Sequence, residues 1–362
     1  MKSDPIFDDI HYQAQLDLKI QTLAEDFKEF TIKNIEVFKS PIKHFRMRAE
    51  FRIWHTGEQT NYIMFDKDNK KPYEIYDFPI GSITINQLMP QLITAINQNT
   101  LLKHKLYQVD FLTTRAGDAL ISLIYHKHLD EDWINEARKI KTLLNIDIVG
   151  RSKGQRLLID KDYVIEKFTV NDQDYYYQQV EASFTQPNAA ICELMLNWAA
   201  IKSRHFGNDL LELYCGNGNF TLPLSKNFNK VLATEIATSS VNSALFNIEK
   251  NQIDNIKIAR MSSEEFTQAL DGTREFYRLK EINLKDYNFS SIFVDPPRAG
   301  LDDKTLEVAQ RFENIIYISC NPTTLKNNLR QLTQTHKIQS FALFDQFPYT
   351  HHLECGVILQ RI

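Results

Sequence analysis

The second half of the chain alternates helical segments with short apolar runs, and this pattern strongly limits the folds open to it. Continuous apolar runs are typical of strands buried on both faces, and their alternation with helices indicates a parallel sheet. A helix over residues 189–201 comes first. The runs that we predict to be strands are 210–214, 231–235, 256–259, 291–295, 315–319, 341–347 and 353–359. The last two follow each other without a helical pattern, so we expect an antiparallel pair.

Seven strands that end in an antiparallel pair resemble the layout of Rossmann-like class I methyltransferases. We therefore predict an α/β fold with a seven-stranded mixed sheet over residues 171–362. Before it, we expect an N-terminal helical segment over residues 1–40 and an α/β RNA-binding domain over residues 41–170.

Two patterns in the first half bear on this division. Apolar residues at helical spacing predict an amphipathic helix that docks on the body of the protein, with Leu16, Ile20, Leu23 and Phe27 on its buried face. Residues 44–53 alternate as in a strand, and the polar face is mostly basic, with His44, Arg46, Arg48, Glu50 and Arg52. Three arginines on one face can bind phosphates, but the pattern equally fits a solvated strand face balanced by neighbouring acids.

Composition narrows the class of protein. The chain has 362 residues, a net charge of −4 and 43% hydrophobic residues, which is an ordinary globular balance, so any RNA-binding charge must be local. The four cysteines lie far apart, which argues against a zinc site or an iron–sulfur cluster and fits a reducing cytoplasm. The first residues lack the apolar stretch of a secretory signal, and no apolar run is long enough to span a membrane.

A glycine-containing turn follows the first predicted strand of the second half. Gly216 and Gly218 would let a ligand approach the backbone closely, and Glu235 ends the next strand, where a carboxylate can accept both hydrogen bonds of a ribose diol. The turn lacks the third glycine of the dinucleotide fingerprint and a phosphate-binding lysine. S-adenosylmethionine therefore fits better than a dinucleotide or ATP.

A second loop, Asp295-Pro296-Pro297-Arg298, follows the fourth predicted strand. Two prolines make a stiff loop, so Asp295 is well placed to orient the cofactor or a base. Amino-group methyltransferases carry an aromatic residue where this chain has Arg298. This difference weakens amino methylation and suggests that Arg298 pairs with a phosphate or a carboxylate.

The apolar run 315–319 leads directly into Cys320, and Asn321-Pro322 then opens a predicted helix. A helix N-terminus stabilises a thiolate, so we expect the pKa of Cys320 to be lowered.

Methylation at carbon 5 of uracil needs activation, because this carbon is a poor nucleophile. A thiolate that adds to carbon 6 activates carbon 5, and a base must then remove the carbon 5 proton. Cys320 is the candidate nucleophile and Glu354 the candidate base, although a buried structural cysteine and a surface acid are the alternatives. We expect Cys215 and Cys355 to be packing residues.

These motifs together closely resemble the tRNA (uracil-5-)-methyltransferases, the bacterial enzymes that form ribothymidine in the T-loop. The segments that carry the resemblance are 45–55, 104–106, 184–188, 210–219, 293–300, 319–322 and 345–356. The resemblance implies that Cys320 is the nucleophile and Glu354 the proton acceptor. It also implies which residues bind S-adenosylmethionine, namely Gln186, Tyr214, Asn219, Glu235 and Asp295.

We predict the RNA-contacting residues from basic and aromatic character alone, and the candidates are Arg46, Arg48, Tyr107 and His126. Related ribosomal-RNA uracil methyltransferases usually carry an iron–sulfur cysteine cluster and an added β-barrel, which favours the tRNA branch here. Methylation of ribosomal RNA or of an amino group, and a tRNA-folding factor with secondary methylation, remain alternatives. We expect a cytoplasmic monomer that binds tRNA, with the T-loop mimic of tmRNA as a further substrate.

Overall fold

The computed structural model describes residues 7–66 and 69–362. The chain divides into two compact units. The larger unit comprises Met1–Ser40, Phe168–Tyr177 and Ala190–Ile362, and the smaller unit comprises Pro41–Lys167 and Gln178–Ala189. The division into domains at residues 40 and 170 stays a prediction from the sequence.

The strands of the described residues are, in chain order, β1 (Ile35–Phe38), β2 (Arg48–Thr56), β3 (Gln59–Phe65), β4 (Pro72–Ile75), β5 (Leu106–Thr113), β6 (Ala119–Tyr125), β7 (Asp147–Ser152), β8 (Gln155–Leu158), β9 (Tyr163–Val170), β10 (Gln173–Val180), β11 (Asp209–Leu213), β12 (Lys230–Thr234), β13 (Ile256–Ala259), β14 (Phe289–Val294), β15 (Asn314–Ser319), β16 (His336–Phe344) and β17 (Glu354–Arg361). The α-helices are α1 (Asp9–Asp26), α2 (Ile83–Asn97), α3 (Thr100–Lys103), α4 (Glu131–Leu144), α5 (Ala189–Ser203), α6 (Thr221–Leu224), α7 (Thr238–Lys250), α8 (Ser263–Leu270), α9 (Asp303–Ala309) and α10 (Pro322–Leu332).

The larger unit is built on one mixed sheet with the strand order β1-β16-β17-β15-β14-β11-β12-β13. Strands β11 to β15 pair in parallel, whereas β17 is antiparallel to both β15 and β16. All seven predicted strands and the antiparallel pair are confirmed. The sheet has an eighth strand that the sequence did not predict, because β1 pairs in parallel with β16 at its edge.

The centre of this sheet is apolar because its strands are covered on both faces. All six residues of β15 are buried, and so are five of the six residues of β14. Parallel strands end on the same edge of a sheet, so the residues that follow β11, β12, β14 and β15 are brought to one edge. Cys320 and most of the predicted cofactor residues lie in these positions, and Glu354, the first residue of the antiparallel strand β17, lies at the same edge.

Helix α1 also belongs to the larger unit, and its buried face differs from the predicted one. Leu16 and Leu23 are buried as expected. Ile20 is only half-buried, and Lys19 takes its place in the interior with 6% of its surface exposed. A buried lysine needs a partner for its charge, and the partner lies far away in the sequence.

The smaller unit has a seven-stranded sheet in the order β4-β3-β2-β5-β6-β7-β8. The predicted alternation in β2 is confirmed, since Ala49, Phe51 and Ile53 are buried in one apolar core with residues of α2 and α4. The strand begins at Arg48, so the basic residues before it lie outside the strand. Within the described ranges, no helix is long and apolar enough to cross a membrane.

Candidate active site

The turn after β11 combines several backbone conformations that favour ligand approach. Tyr214, Gly216 and Gly218 all have positive φ angles, of 64°, 57° and 81°. A Cβ atom on Gly218 would lie 2.8 Å from the Leu222 side chain, so this position requires glycine. No atom lies within 4 Å of a Cβ built on Gly216, so the space beside this part of the turn is open. The predicted close backbone approach is therefore available at Gly216.

Glu235 follows β12 and is held by backbone donors. Its Oε2 accepts a hydrogen bond from the amide of Gly216 at 3.1 Å. Its Oε1 accepts from the amides of Ile236 and Ala237 at 2.8 Å and 2.7 Å. Each carboxylate oxygen offers about two acceptor sites, so Oε1 is fully used and Oε2 keeps capacity for a ligand hydroxyl group. This fixed carboxylate next to a glycine turn fits the ribose of a nucleoside.

The other predicted cofactor residues occupy different settings. The Tyr214 hydroxyl donates to Ser263 at 2.8 Å, which fixes its ring, and burial raises its pKa. The Asn219 side-chain amide lies 3.4 Å from the thiol sulfur of Cys192. Gln186 is half-buried and belongs to the smaller unit, whereas the remaining four predicted cofactor residues lie in the larger unit.

The loop that carries Asp295 and Arg298 is tied to the start of α10. Asn321 caps this helix, since its Oδ1 accepts from the amide of Thr323 at 3.1 Å. Its side-chain nitrogen donates to the carbonyl of Arg298 at 2.9 Å, and the hydroxyl of Thr324 donates to the same carbonyl at 3.3 Å. The residue after Cys320 therefore fixes the Pro-Pro loop as well as the helix.

Cys320 and Glu354 lie at the ends of neighbouring antiparallel strands. Ser319 in β15 pairs with Cys355 in β17. One step further in this register places Cys320 opposite Glu354, and side chains directly opposite each other have Cβ atoms about 5 Å apart. Glu354 is 2% exposed and Cys320 is partly exposed, so the thiol is open to a ligand and the acid lies beneath the surface.

The electrostatics of this pair contradict one expectation. The pKa of Cys320 is raised to about 11, because burial and the carboxyl groups of Glu354 and Asp295 outweigh the opposing effect of Arg298. The predicted lowering by the helix N-terminus is therefore wrong. Burial raises the pKa of Asp295 to about 7, and it raises that of Glu354 well above its usual value with a further contribution from Asp295.

The thiols of Cys215 and Cys355 are not exposed to a ligand. Cys215 and Cys355 are buried, at 4% and 0% exposure, and burial raises the pKa of both. Such thiols are inert and pack as small apolar groups. Among the described residues, no group of three or more His, Cys, Asp or Glu residues is placed to hold a metal ion.

The predicted RNA-contacting residues of the smaller unit separate into two sets. Arg46 donates to the carbonyl of Arg48 at 2.8 Å, and Arg48 donates to the carbonyl of Glu181 at 2.9 Å, so both guanidinium groups serve the protein's own backbone. Tyr107 and His126 lie together, with ring centroids 4.2 Å apart.

Two residues that sequence reasoning did not select also stand out. The guanidinium carbon of Arg52 lies 4.0 Å from the centroid of the Tyr107 ring, and its position on the basic face of β2 was the available signal. Glu212 is 1% exposed, and burial together with the Asp295 carboxylate raises its pKa to about 8. The signal for Glu212 was an acid within an apolar run just before the glycine turn.

Comparisons with known proteins agree over nearly the whole chain. The family model described as tRNA (Uracil-5-)-methyltransferase matches residues 11–362. A tRNA/tmRNA (uracil-C(5))-methyltransferase of Cellvibrio japonicus is 62% identical over 97% of this chain and 96% of its own length. One of Vibrio parahaemolyticus is 54% identical over 97% of each chain.

A solved structure supports the fold. The Pyrococcus abyssi tRNA (uracil-54, C5)-methyltransferase, in complex with S-adenosyl-L-homocysteine, aligns with a TM-score of 0.71 at 22% identity. The alignment covers 96% of this chain and 83% of that one. At this identity the match bears on the fold alone, which is the Rossmann-like α/β fold that the strand order indicates.

Proposed function

Because this chain belongs to the tRNA (uracil-5-)-methyltransferase family, we propose that it transfers a methyl group from S-adenosylmethionine to carbon 5 of the T-loop uridine of tRNA. The product is 5-methyluridine, or ribothymidine. The observation that carries this proposal is that Cys320 directly follows β15, Glu354 begins the neighbouring strand β17, and the carboxyl groups of Glu354 and Asp295 are close enough to raise the pKa of Cys320. A uracil-5 reaction needs both a thiolate and a base, whereas methylation of an aromatic nitrogen needs neither.

The methyl donor fits the turn after β11 and the carboxylate after β12. In the larger unit, Glu235 would accept a ribose hydroxyl at Oε2, and Tyr214, Asn219 and Asp295 would hold the rest of the molecule. S-adenosylmethionine supplies an electrophilic methyl group on a positively charged sulfur. The open space beside Gly216 and the fixed carboxylate of Glu235 support this assignment.

The chemistry begins at Cys320. Once deprotonated, its sulfur adds to carbon 6 of the flipped uridine, and the electron pair of the carbon 5–carbon 6 double bond moves to give an enolate. Carbon 5 would then take the methyl group as the sulfur–methyl bond of the donor breaks, and the donor would leave as a neutral thioether. The carboxylate of Glu354 removes the proton from carbon 5, the electrons of that bond restore the double bond, and the sulfur–carbon 6 bond breaks. The raised pKa of Glu354 suits it to accept a proton.

In the smaller unit, Arg52, Tyr107 and His126 form a cluster of one guanidinium group and two rings that suits a single-stranded RNA loop. RNA loops are bound through stacking on aromatic rings and guanidinium planes. The distances of 4.0 Å and 4.2 Å within this group support its assignment as an RNA contact. Arg46 and Arg48 would support this surface through their backbone contacts, and residues 41–170 would be the RNA-binding domain.

The proposal also covers the compartment, a second substrate and the oligomeric state. We expect the enzyme to work in the cytoplasm, where tRNA is processed, and to accept the T-loop mimic of tmRNA, as the names of its relatives suggest. Cys320, Glu354 and Asp295 all lie in the larger unit, and we expect the enzyme to act as a monomer.

Methyl transfer to unmodified tRNA tests the proposal directly. Purified protein, S-adenosylmethionine and a tRNA transcript should yield 5-methyluridine at one T-loop position, measured by nucleoside mass spectrometry. A transcript with cytidine at that position is the matched control and should remain unmethylated. Methylation of ribosomal RNA instead of tRNA, or a product other than 5-methyluridine, would contradict the proposal.

A further inference from the structure

The loop between β16 and β17 carries the proposed base at its end. Phe344, the last residue of β16, pairs with Glu354, the first residue of β17, so residues 345–353 form a loop closed at its base by this pair. The loop has no regular secondary structure. Tyr349 within it has a φ angle of 61°, a left-handed conformation that is strained for a non-glycine residue and needs support from its surroundings.

Helix α1 supplies that support through a buried lysine. The Lys19 ammonium lies 2.6 Å from Oδ1 of Asp345 and donates to the carbonyl of Phe347 at 2.9 Å. Asp345 is fully buried. Burial lowers the pKa of Lys19, and Asp345 opposes this shift. A buried ion pair contributes little net stability, so its value lies in fixing one arrangement of the groups that it joins.

A second residue of the same helix extends this contact. Gln15 donates to Oδ2 of Asp345 at 3.0 Å and accepts from the amide of Tyr349 at 3.3 Å. The rings of Phe7 and Tyr12 pack edge-on against Tyr349, with centroids 5.0 Å and 6.1 Å away. One face of α1 therefore holds the loop at Asp345, Phe347 and Tyr349.

The far part of the loop leads to the reactive groups. His352 lies 3.5 Å from the guanidinium of Arg298, the residue whose charge opposes the raised pKa values of Cys320 and Glu354. Two residues later comes Glu354 itself. A change at the α1 end of the loop would therefore be transmitted to the Arg298 contact and to the acid.

We propose that Lys19 is a positioning residue for Glu354, acting through Asp345 and the loop 345–353. This inference rests on the proposed function, since it assigns Lys19 to the step that Glu354 performs, removal of the carbon 5 proton. Loss of Lys19 should slow that step more than it weakens substrate binding. The covalent RNA complex should therefore accumulate when Lys19 is replaced.

Three variants test this inference. Lys19→Met removes the ammonium but keeps the length of the side chain. Lys28→Met is the matched control, because Lys28 lies just after the same helix and forms an exposed ion pair with Glu25. Lys19→Met/Asp345→Asn also removes the carboxylate that would be left buried and unpaired, while the amide can keep its contact with Gln15.

The expected result for Lys19→Met is a kcat at least about tenfold lower, with the dissociation constant for S-adenosylmethionine within about twofold of wild type and a KM for tRNA that is unchanged or lower, because slow breakdown of the covalent complex lowers KM together with kcat. Covalent complex with unmodified tRNA should build up on denaturing gels. In the double variant the melting temperature should recover but kcat should stay low, because the Phe347 carbonyl has lost its bond to helix α1 and keeps only the hydroxyl of Thr350, a residue of the same loop, as a donor. Full recovery of kcat together with stability, or an unchanged kcat in Lys19→Met, would overturn the inference.

Hydrogen exchange separates failure of this inference from failure of the proposed function. The amides of residues 346–353 should exchange at least several-fold faster in Lys19→Met than in wild type or Lys28→Met, while those of residues 209–235 should not change. This readout needs no RNA. If the wild-type protein does not methylate tRNA but the exchange changes as expected, the proposed function fails and the loop contact stands. If the wild type is active and the loop exchange is unchanged, the positioning role fails alone.

Discussion

The two ends of the functional edge in the larger unit differ in how their carboxyl groups are stabilised. At the β11–β12 end, Glu235 accepts hydrogen bonds from three backbone amides and is ready to bind hydroxyl groups. At the β14–β15–β17 end, burial and mutual repulsion raise the pKa of Asp295, Glu354 and Cys320. The first end is arranged for binding before any ligand arrives. The second end disfavours charge, so its reactive ions must be stabilised by what binds there.

The largest effect that this comparison predicts is at the reactive end. Cys320→Ala should lower methylation of tRNA by at least about 10,000-fold, because no other group can activate carbon 5. Initial rates with labelled S-adenosylmethionine measure this. Cys355→Ala is the matched control, since Cys355 is fully buried, and it should change stability rather than chemistry. Near-normal activity of Cys320→Ala would show that Cys320 is not the nucleophile.

Replacement of the proposed base should separate two steps. Glu354→Gln should reduce turnover by about 100- to 10,000-fold and should trap the covalent RNA complex, because the adduct forms but cannot lose its proton. Denaturing gels with labelled tRNA measure the complex. Glu264→Gln, which alters an exposed acid, should behave as wild type. Normal turnover by Glu354→Gln would show that another group is the base.

At the β11–β12 end, we expect a substitution to change the affinity for S-adenosylmethionine. Glu235→Gln should weaken S-adenosylmethionine binding by about 10- to 100-fold, which corresponds to the roughly 1–3 kcal/mol of a hydrogen bond that involves a charged group. Isothermal titration calorimetry measures this change. The exposed Glu249→Gln is the control. The adduct-forming chemistry should remain at saturating cofactor, and an unchanged affinity would remove Glu235 from the cofactor site.

The substitution with the smallest expected effect alters the reactivity of the Cys320 thiol in the free protein. With a pKa of about 11, the thiolate fraction of Cys320 should rise about tenfold for each pH unit between pH 7 and pH 10, and alkylation by iodoacetamide should rise in parallel. Arg298→Gln should slow alkylation a few-fold, because Arg298 opposes the raised pKa. Peptide mass spectrometry follows the labelled cysteine. A plateau of the rate already at pH 8 would mean that the thiol ionises far more readily.

Local patterns in the sequence predicted most of the strands and placed most of the site residues at strand ends. Apolar runs gave seven strands of the larger sheet, and strand ends placed Cys320, Asp295 and Glu235 on one edge. Strand β1 was missed because it is only four residues long and its pairing with β16 joins distant parts of the chain.

The misses at the site have a similar cause. Lys19 was not among the residues predicted for the buried face of α1, because its partner Asp345 lies 326 residues away. The pKa of Cys320 was predicted from the helix that follows it, but carboxyl groups from β17 and the loop after β14 outweigh that helix. An RNA contact by Arg46 and Arg48 stays a prediction, and their hydrogen bonds to backbone carbonyls were not evident from the sequence. Such outcomes depend on tertiary contacts that no local pattern encodes.

The site of covalent attachment is the most direct test of the central claim. A tRNA that contains 5-fluorouridine should form a stable adduct with the wild-type protein and S-adenosylmethionine, because fluorine at carbon 5 cannot leave as a proton does. Digestion and mass spectrometry should then find the nucleotide on the peptide that contains Cys320. A nucleotide attached to Cys192, Cys215 or Cys355, or no attachment while ordinary tRNA is methylated, would contradict the account.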